Sequence, residues 1–276
     1  MKNSLFKTYM MGALVALSCS TLSAQTLNDA SVAFDNAKYN DAADILRKLN
    51  PQTPKAKAFL CLLYSDKYIS PNNDESSRVC EEAVVAKDPL AIYIYSIAYL
   101  YGNPNIQITA NPPIGIGYMA VDVIDLDFAP AYDFFCNKYL SENNINTAIN
   151  FCKVAASKGM RKSLYAMGML SSDGKGVIQD YKRANNLMLA SAALNYTPAY
   201  MYLAQASRDG LYGNPKDFKQ AYAWYSLAAA ADTNDTKASQ ARDSLKLSGD
   251  DIIAAQKLAT VWKAKTPKLI DYNKAN

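Results

Sequence analysis

The chain has 276 residues, half of them hydrophobic and one fifth charged, with a formal net charge of +4 and no histidine. Without histidine there is no Ser-His-Asp or Cys-His nucleophilic site, no His general base and no His-ligated metal, although Lys and carboxylate chemistry remain open. The charge falls to +2 once Lys2 and Lys7 of the first 24 residues, which hold no acid, are set aside; that balance gives no electrostatic case for nucleic acid.

Residues 1–24 read as a secretory signal peptide. Lys2 and Lys7 supply the positive region, Met10 to Leu17 the apolar stretch, and Leu22-Ser23-Ala24 the cleavage site before Gln25. The third residue before the cut is Leu rather than a small side chain. Ala16-Leu17-Ser18-Cys19 loosely matches a lipid-attachment box, so anchoring through Cys19 is a second option. No later apolar run reaches the about 18 residues of a membrane span.

Residues 25–53 read as a capping hairpin. Ala33, Phe34, Tyr39, Ala42, Ile45 and Leu46 recur at helical spacing, and Pro51 and Pro54 close the segment. A repeat then occupies 54–231. Its units start at small residues, Ala56, Ala91, Ala131, Ser163 and Ala199, which lie 35, 40, 32 and 36 residues apart. Four residues into each unit stands a large apolar side chain: Leu60, Tyr95, Phe135, Met167 and Leu203. The next position is small: Cys61, Ser96, Cys136, Gly168 and Ala204. Eight residues in come Tyr64, Tyr99, Tyr139, Ser171 and Ser207. These spacings keep the columns on one helix face, and the small column lets a second helix approach closely. A period of this length predicts an all-α, right-handed solenoid of antiparallel helical hairpins. Counting back from the following start, the second helices align Val79, Met119, Phe151 and Leu187, with Trp224 placed by its own Ala pair.

Four cysteines lie within the repeats. Cys61 and Cys80 stand about equally far from a turn near residue 71, and Cys136 and Cys152 equally far from one near residue 144. Residues equidistant from the turn of an antiparallel hairpin lie level, so each pair is expected to face across its own hairpin and to be bridged, in an oxidising compartment. Four cysteines allow three pairings, and buried free thiols are the alternative.

The second unit is lengthened by residues 102–117, a Pro-rich, uncharged stretch expected to be a loop, either a partner-binding lip or a plain connector. Asp122, Asp125 and Asp127 lack calcium-loop spacing and read as a solvated face. Gly174-Lys175-Gly176 lacks the phosphate-loop spacing and a preceding strand, so it reads as a repeat turn that needs left-handed backbone. No metal or cofactor site is expected.

From Ser163 to Ala231 the units contain Gly174-Lys175-Gly176-Val177, Asp180, Ala184 and Leu187, then Gly210, Gly213, Asp217, Ala221, Trp224-Tyr225 and Ala228-Ala229. This pattern resembles the Sel1-like repeat family, related to tetratricopeptide repeats; residues 56–162 share mainly the columns. Residues 232–265, with helices over Lys237–Leu247 and Asp250–Lys263 and Asp250 as N-cap, are similar to the C-terminal cap of exported members; a tail follows from residue 266. The cysteine-bearing subfamily places its cysteines about eight residues apart, a pattern this chain departs from.

The tyrosines Tyr93, Tyr132, Tyr165, Tyr200 and Tyr202 fall in the first helices, which usually line the concave side of such solenoids. They are candidates for a partner surface, with packing between hairpins as the other reading. Together with the signal segment, this reads as a monomeric, exported, non-catalytic interaction scaffold for a protein or peptide, periplasmic or secreted in a Gram-negative bacterium, and the resemblance implies a role in envelope or stress signalling or in host contact. The competing class is an envelope enzyme, or enzyme-associated factor, acting on peptidoglycan or β-lactam. Of the motifs that would serve it, the Ser-x-x-Lys at Ser4 to Lys7 falls in the signal segment, and Ser-Asp-Asn and Lys-Thr-Gly do not occur in the sequence.

Overall fold

A computed structural model of the chain describes residues 21–49 and 53–265. The signal segment up to Ser20, Cys19 included, and the tail from residue 266 lie outside the described residues. Fourteen α-helices are described: α1 Thr21–Asp35, α2 Tyr39–Lys48, α3 Pro54–Ser65, α4 Asn73–Val85, α5 Pro89–Tyr101, α6 Pro112–Tyr118, α7 Ala129–Ser141, α8 Ile145–Ser157, α9 Arg161–Asp173, α10 Tyr181–Ala193, α11 Thr197–Asp209, α12 Phe218–Ala231, α13 Lys237–Asp243 and α14 Gly249–Lys265. Among the described residues there is no strand beyond one isolated bridge, Asn103 with Ile108. The array is an α-solenoid of antiparallel hairpins, and it divides into two compact units, one ending at Ala131 and one beginning at Tyr132.

Local chemistry sets where the helices begin. Proline occupies the first turn of α3, α5 and α11, where its missing N–H costs nothing. The partner helices α4, α8, α10 and α12 begin after Asn72, Asn144, Asp180 and Asp217, whose side chains accept hydrogen bonds from the N–H groups of Glu75, Thr147, Arg183 and Gln220. Helices α9 and α11 end at Gly174 and Gly210, both left-handed at φ 68° and 70°.

Each of the five starts lies two residues into its helix, and the repeat columns are core. Ala56, Ala91, Ala131, Ser163 and Ala199 are buried, as are Leu60, Tyr95, Phe135, Met167 and Leu203. The small column meets the second helix: a Cβ on Gly168 would come within 2.7 Å of Met188 Cε. On the second helices, Ser76, Ala148, Ala184 and Ala221 are fully enclosed, as are Cys80, Cys152, Met188 and Tyr225 one turn later.

The second unit departs from expectation. Residues 102–117 are not one loop, because α6 starts at Pro112–Pro113 and continues to Tyr118. Gly115 explains why this stretch is helical despite its composition. A Cβ there would lie 2.6 Å from Ser96 O and 2.9 Å from Leu100 N, so α6 packs backbone to backbone on α5. The chain then passes through a π-turn, Met119–Val123. Met119 is fully buried whereas Ala120 is exposed. Met119 therefore occupies the place of Cys80, Cys152 and Met188, one later than the sequence alignment with Val79 and Phe151. The π-turn absorbs the extra residue, which restores Val123 to the buried column of Ala83 and Ala155.

Within the first unit, Phe34 of α1 packs edge-on against Tyr39, Phe59 and Tyr68. Arg47 of α2 donates to Glu75 Oε1 at 3.1 Å and to the Tyr64 hydroxyl at 2.7 Å, and that hydroxyl donates to Glu75. Burial opposes charge at Glu75, but the bonds from Tyr64 and Arg47 win and hold its carboxyl below the usual range. Within the second unit, α14 packs on α12 through Trp262 and Trp224, rings 4.8 Å apart and edge to face. Helix α13 is shorter than expected, and Ser248 rather than Asp250 caps α14, accepting from Asp251 N at 3.3 Å.

Candidate functional site

Cys61 is bonded to Cys80 and Cys136 to Cys152, each pair joining the two helices of one hairpin across Cα distances of 4.8 and 4.7 Å. All four residues are fully enclosed. The small-residue column brings the backbones close enough for the bridge, and burial withholds the sulfurs from solvent reductants.

The five candidate tyrosines do not form one exposed face. Tyr93, Tyr200 and Tyr202 are buried, at 3, 4 and 6% exposure, and this corrects their assignment to a partner surface. Their rings pack within the core: Tyr93 on Phe128, Tyr200 stacked on Trp224, and Tyr202 stacked on Tyr212 at 4.9 Å. The physical reason is ring size. A phenol between adjacent helices buries far more apolar area than it could at the rim, and helical periodicity does not say which of two buried sides a column faces. Tyr132 and Tyr165 are half-buried, Tyr132 tilted on Phe151 and Tyr165 edge-on to Tyr196. Burial pushes the Tyr165 hydroxyl above its ordinary pKa.

Large apolar side chains do reach solvent elsewhere. Tyr181 and Phe218, at 41 and 43% exposure, are the first residues of α10 and α12, each directly after its capping Asp. Ile178, 91% exposed, precedes Tyr181 by three residues, and Leu211 stands beside Tyr212, whose ring lies 5.8 Å from that of Tyr181. Lys216 covers one face of Phe218 at 5.0 Å. Sequence reading passed over these residues because it looked at helix columns. The available signal was an aromatic directly after an N-cap.

Residues 161–196 and 197–232 each match the Sel1 repeat family. The chain carries two Sel1 repeats. Among solved structures, it is similar to c5321, described as a protective antigen present in uropathogenic Escherichia coli strains displaying an SLR fold. The likeness has 19% identity and a TM-score of 0.69, over 88% of this chain and 54% of that one. The chain thus spans about half of that antigen's length. It is also similar to a Sel1 repeat protein from Oxalobacter formigenes, with 17% identity and a TM-score of 0.62, over 85% of this chain and 96% of that one. No curated protein sequence matches it.

The exposed aromatics thus belong to both Sel1 repeats, at equivalent places. The same place holds Pro112 in the second hairpin and a half-buried Ile145 in the third. Gly176, at φ 67°, turns the first Sel1 hairpin, where a Cβ would strike Ile149 Cδ1; its left-handed backbone and the lack of room both demand glycine. From α7 of the hairpin before this repeat pair, buried Asp133 accepts from Ser163 Oγ at 2.6 Å and Ser163 N at 3.1 Å, tying that hairpin to the first Sel1 repeat. Asp125 and Asp127 point to solvent, and among the described residues no three His, Cys, Asp or Glu side chains gather in a metal-binding group. Among the same residues no helix is long and apolar enough to cross a membrane.

Proposed function

We propose that the protein is an exported, non-catalytic scaffold of the bacterial envelope, in the periplasm, and that its two Sel1 repeats hold a protein partner. Sel1-repeat folds are typically protein-interaction scaffolds, and the two disulfides suit an oxidising compartment. The observation that carries the reading is the pair Tyr181 and Phe218, two large aromatics held out to solvent at equivalent positions of consecutive repeats. Rigid aromatic side chains lose little entropy when a partner covers them, and they dominate interface energetics. Ile178 and Leu211 are further exposed apolar side chains of the same two repeats, and Tyr165 is half-buried there.

Cross-linking in the native envelope, followed by mass spectrometry, tests this. A Tyr181→Ser, Phe218→Ser variant is expected to lose the stoichiometric partner captured by wild type, while Val85→Ser, an exposed change in the first unit, retains it. Undiminished capture by the double variant would refute the surface, and turnover of a labelled peptidoglycan or β-lactam substrate by pure protein would refute the non-catalytic reading.

A further inference from the structure

Between Asp88 and Asp122 the chain holds no charged residue, and this run supplies α5, the lengthened stretch and α6. Helix α5 places its apolar side chains in the core, with Ala91 to Ser96 and Ala98 buried. Helix α6 lies on α5 by one side. Gly115, against the Ser96 carbonyl, and Met119, four residues on, mark that covered side. The other side is open: Pro113, Ile114, Ile116, Gly117, Ala120 and Val121 are all exposed, Ile114 at 43% and Val121 at 59%. Ile114, Gly117 and Val121 recur at helical spacing, with Gly117 at the centre. Tyr101, the last residue of α5, is 62% exposed next to the start of α6, since a Cβ on the following Gly102 would lie 3.5 Å from Ala110 N.

Monomeric proteins seldom leave a contiguous apolar patch of more than a few hundred Å² open. At these exposures Tyr101, Ile114, Ile116, Val121 and the small residues between them open on the order of 500 Å² per copy, about 1,000 Å² for a facing pair, which reaches the lower limit of a specific interface. Gly117 supplies a second observation. Glycine weakens a helix interior, and Gly115 is explained by its contact with α5, but a Cβ on Gly117 would meet nothing within 4 Å. Nothing inside the chain calls for glycine there, whereas a helix arriving from outside could come close over it.

Charge selects the occupant. Asp122 and Asp125 close the face at one end, and no Lys or Arg lies between Asp88 and Asp122 to offset them. An anionic bilayer is therefore disfavoured. A second copy of the same neutral face brings no charge of its own to the contact. In an antiparallel crossing with the two-fold axis at Gly117, each Asp122 falls opposite the other copy's Pro112, and Ile114 falls opposite Ala120. A parallel crossing would set Asp122 on Asp122. We infer that this face binds a second copy of the chain, α6 against α6 in antiparallel order about a two-fold axis at Gly117. The monomer expected from the sequence is then the dilute form. All these residues belong to the first unit, and the inference does not rest on the Sel1-repeat surface proposed above. It also gives the lengthened stretch a task that a plain connector would not have.

The test is sedimentation equilibrium of the full mature chain, disulfides intact, from about 1 to about 200 µM, where a reversible dimer with a dissociation constant in the tens of micromolar is expected. Val121→Arg puts a charge into the neutral face and is expected to weaken the dimer about tenfold or more, while Val32→Arg, at an exposed residue of α1, leaves it unchanged. Cysteine bridging reads the orientation separately. Gly117→Cys is expected to form an intermolecular disulfide on mild oxidation, and Val121→Cys is not, because antiparallel order puts the two copies' positions 121 on opposite sides of the axis. A chain that stays monomeric to about 200 µM, a dimer indifferent to Val121→Arg, efficient bridging through Val121→Cys, or a monomer that instead sediments with phosphatidylethanolamine and phosphatidylglycerol vesicles would each overturn the inference.

Discussion

The first and fourth hairpins are built on the same columns and are closed by different means. In the first, the small position Cys61 and the facing Cys80 are joined covalently. In the fourth, Gly168 takes the small position and Met188 fills the space against it. Both solutions exploit one geometric fact, the close approach of two helices at the fifth position of the repeat. A cysteine pair converts that approach into a bond that restrains the unfolded chain, whereas Gly with Met converts it into packing that exists only in the folded state. The fourth hairpin also spends a left-handed glycine turn and an Asp cap on its fold. The first has an Asn cap and a left-handed Lys67 in place of the glycine.

The largest effect should come from breaking the covalent solution. Replacing Cys61 and Cys80 by Ala is expected to cost about 3 kcal/mol, the chain-entropy value for a bridge spanning 19 residues. Urea titration of the oxidised protein, read at the transition of the first unit, measures it. A loss below about 1 kcal/mol would mean that small-residue packing alone closes this hairpin, as in the fourth, and that the bridge adds little.

The next contrast separates two glycines. Gly115→Ala drives a methyl into the Ser96 carbonyl and Leu100 N–H, backbone atoms that cannot turn aside, and is expected to destabilise by about 2 kcal/mol even after the helix-propensity gain of Ala. Gly168→Ala meets only the tip of Met188, which has rotatable bonds to spare. Its clash of about 1 kcal/mol is offset by the propensity gain, so thermal denaturation should place it within about 0.5 kcal/mol of wild type. Equal losses at both sites would remove the distinction between rigid and yielding neighbours.

These contrasts also show what the sequence made legible. The column positions were readable because a buried face repeats whatever fills it, and the cysteine pairs because symmetry about a turn fixes the level of two residues. Helix α6 was not, because Pro112, Pro113, Gly115 and Gly117 read as breakers. Two of them instead open a helix, and Gly115 permits a contact that nothing local announces. The one-residue excess at Met119–Val123 was hidden for a related reason, since a π-turn preserves both flanking columns and displaces only the residue between them. Of the candidate surface, Tyr93, Tyr200 and Tyr202 failed because a helix between two layers has two buried faces. Tyr181 and Phe218 were missed because their exposure follows from position beside a cap rather than from periodicity.

The smallest effect probes a carboxylate column common to the two kinds of hairpin. Ten residues into the first, fourth and fifth repeats stand Asp66, Asp173 and Asp209. In the Sel1 repeats each has a cation, Lys175 on Asp173 at 3.0 Å and Arg208 on Asp209 at 2.6 Å. Among the described residues Asp66 has only Ser65, whose hydroxyl approaches at 3.5 Å, and burial pushes its carboxyl up to about 7. Between the unfolded value near 4 and this one the folded state binds the extra proton, so Asp66 lowers stability as pH rises through that window. Asp66→Asn should therefore stabilise the first unit by on the order of 1 kcal/mol at about pH 8, discounted because solvent reaches a half-buried group, and by nothing at about pH 4. Asp209 has the opposite sign: Arg208 holds its carboxyl below the usual range, so its contribution is present at neutral pH and fades as pH falls. Its exposure keeps that contribution too small to move the denaturation midpoint. If Asp66→Asn gave no gain at high pH, the carboxylate would have a cationic partner after all, and this column would not distinguish the two kinds of hairpin.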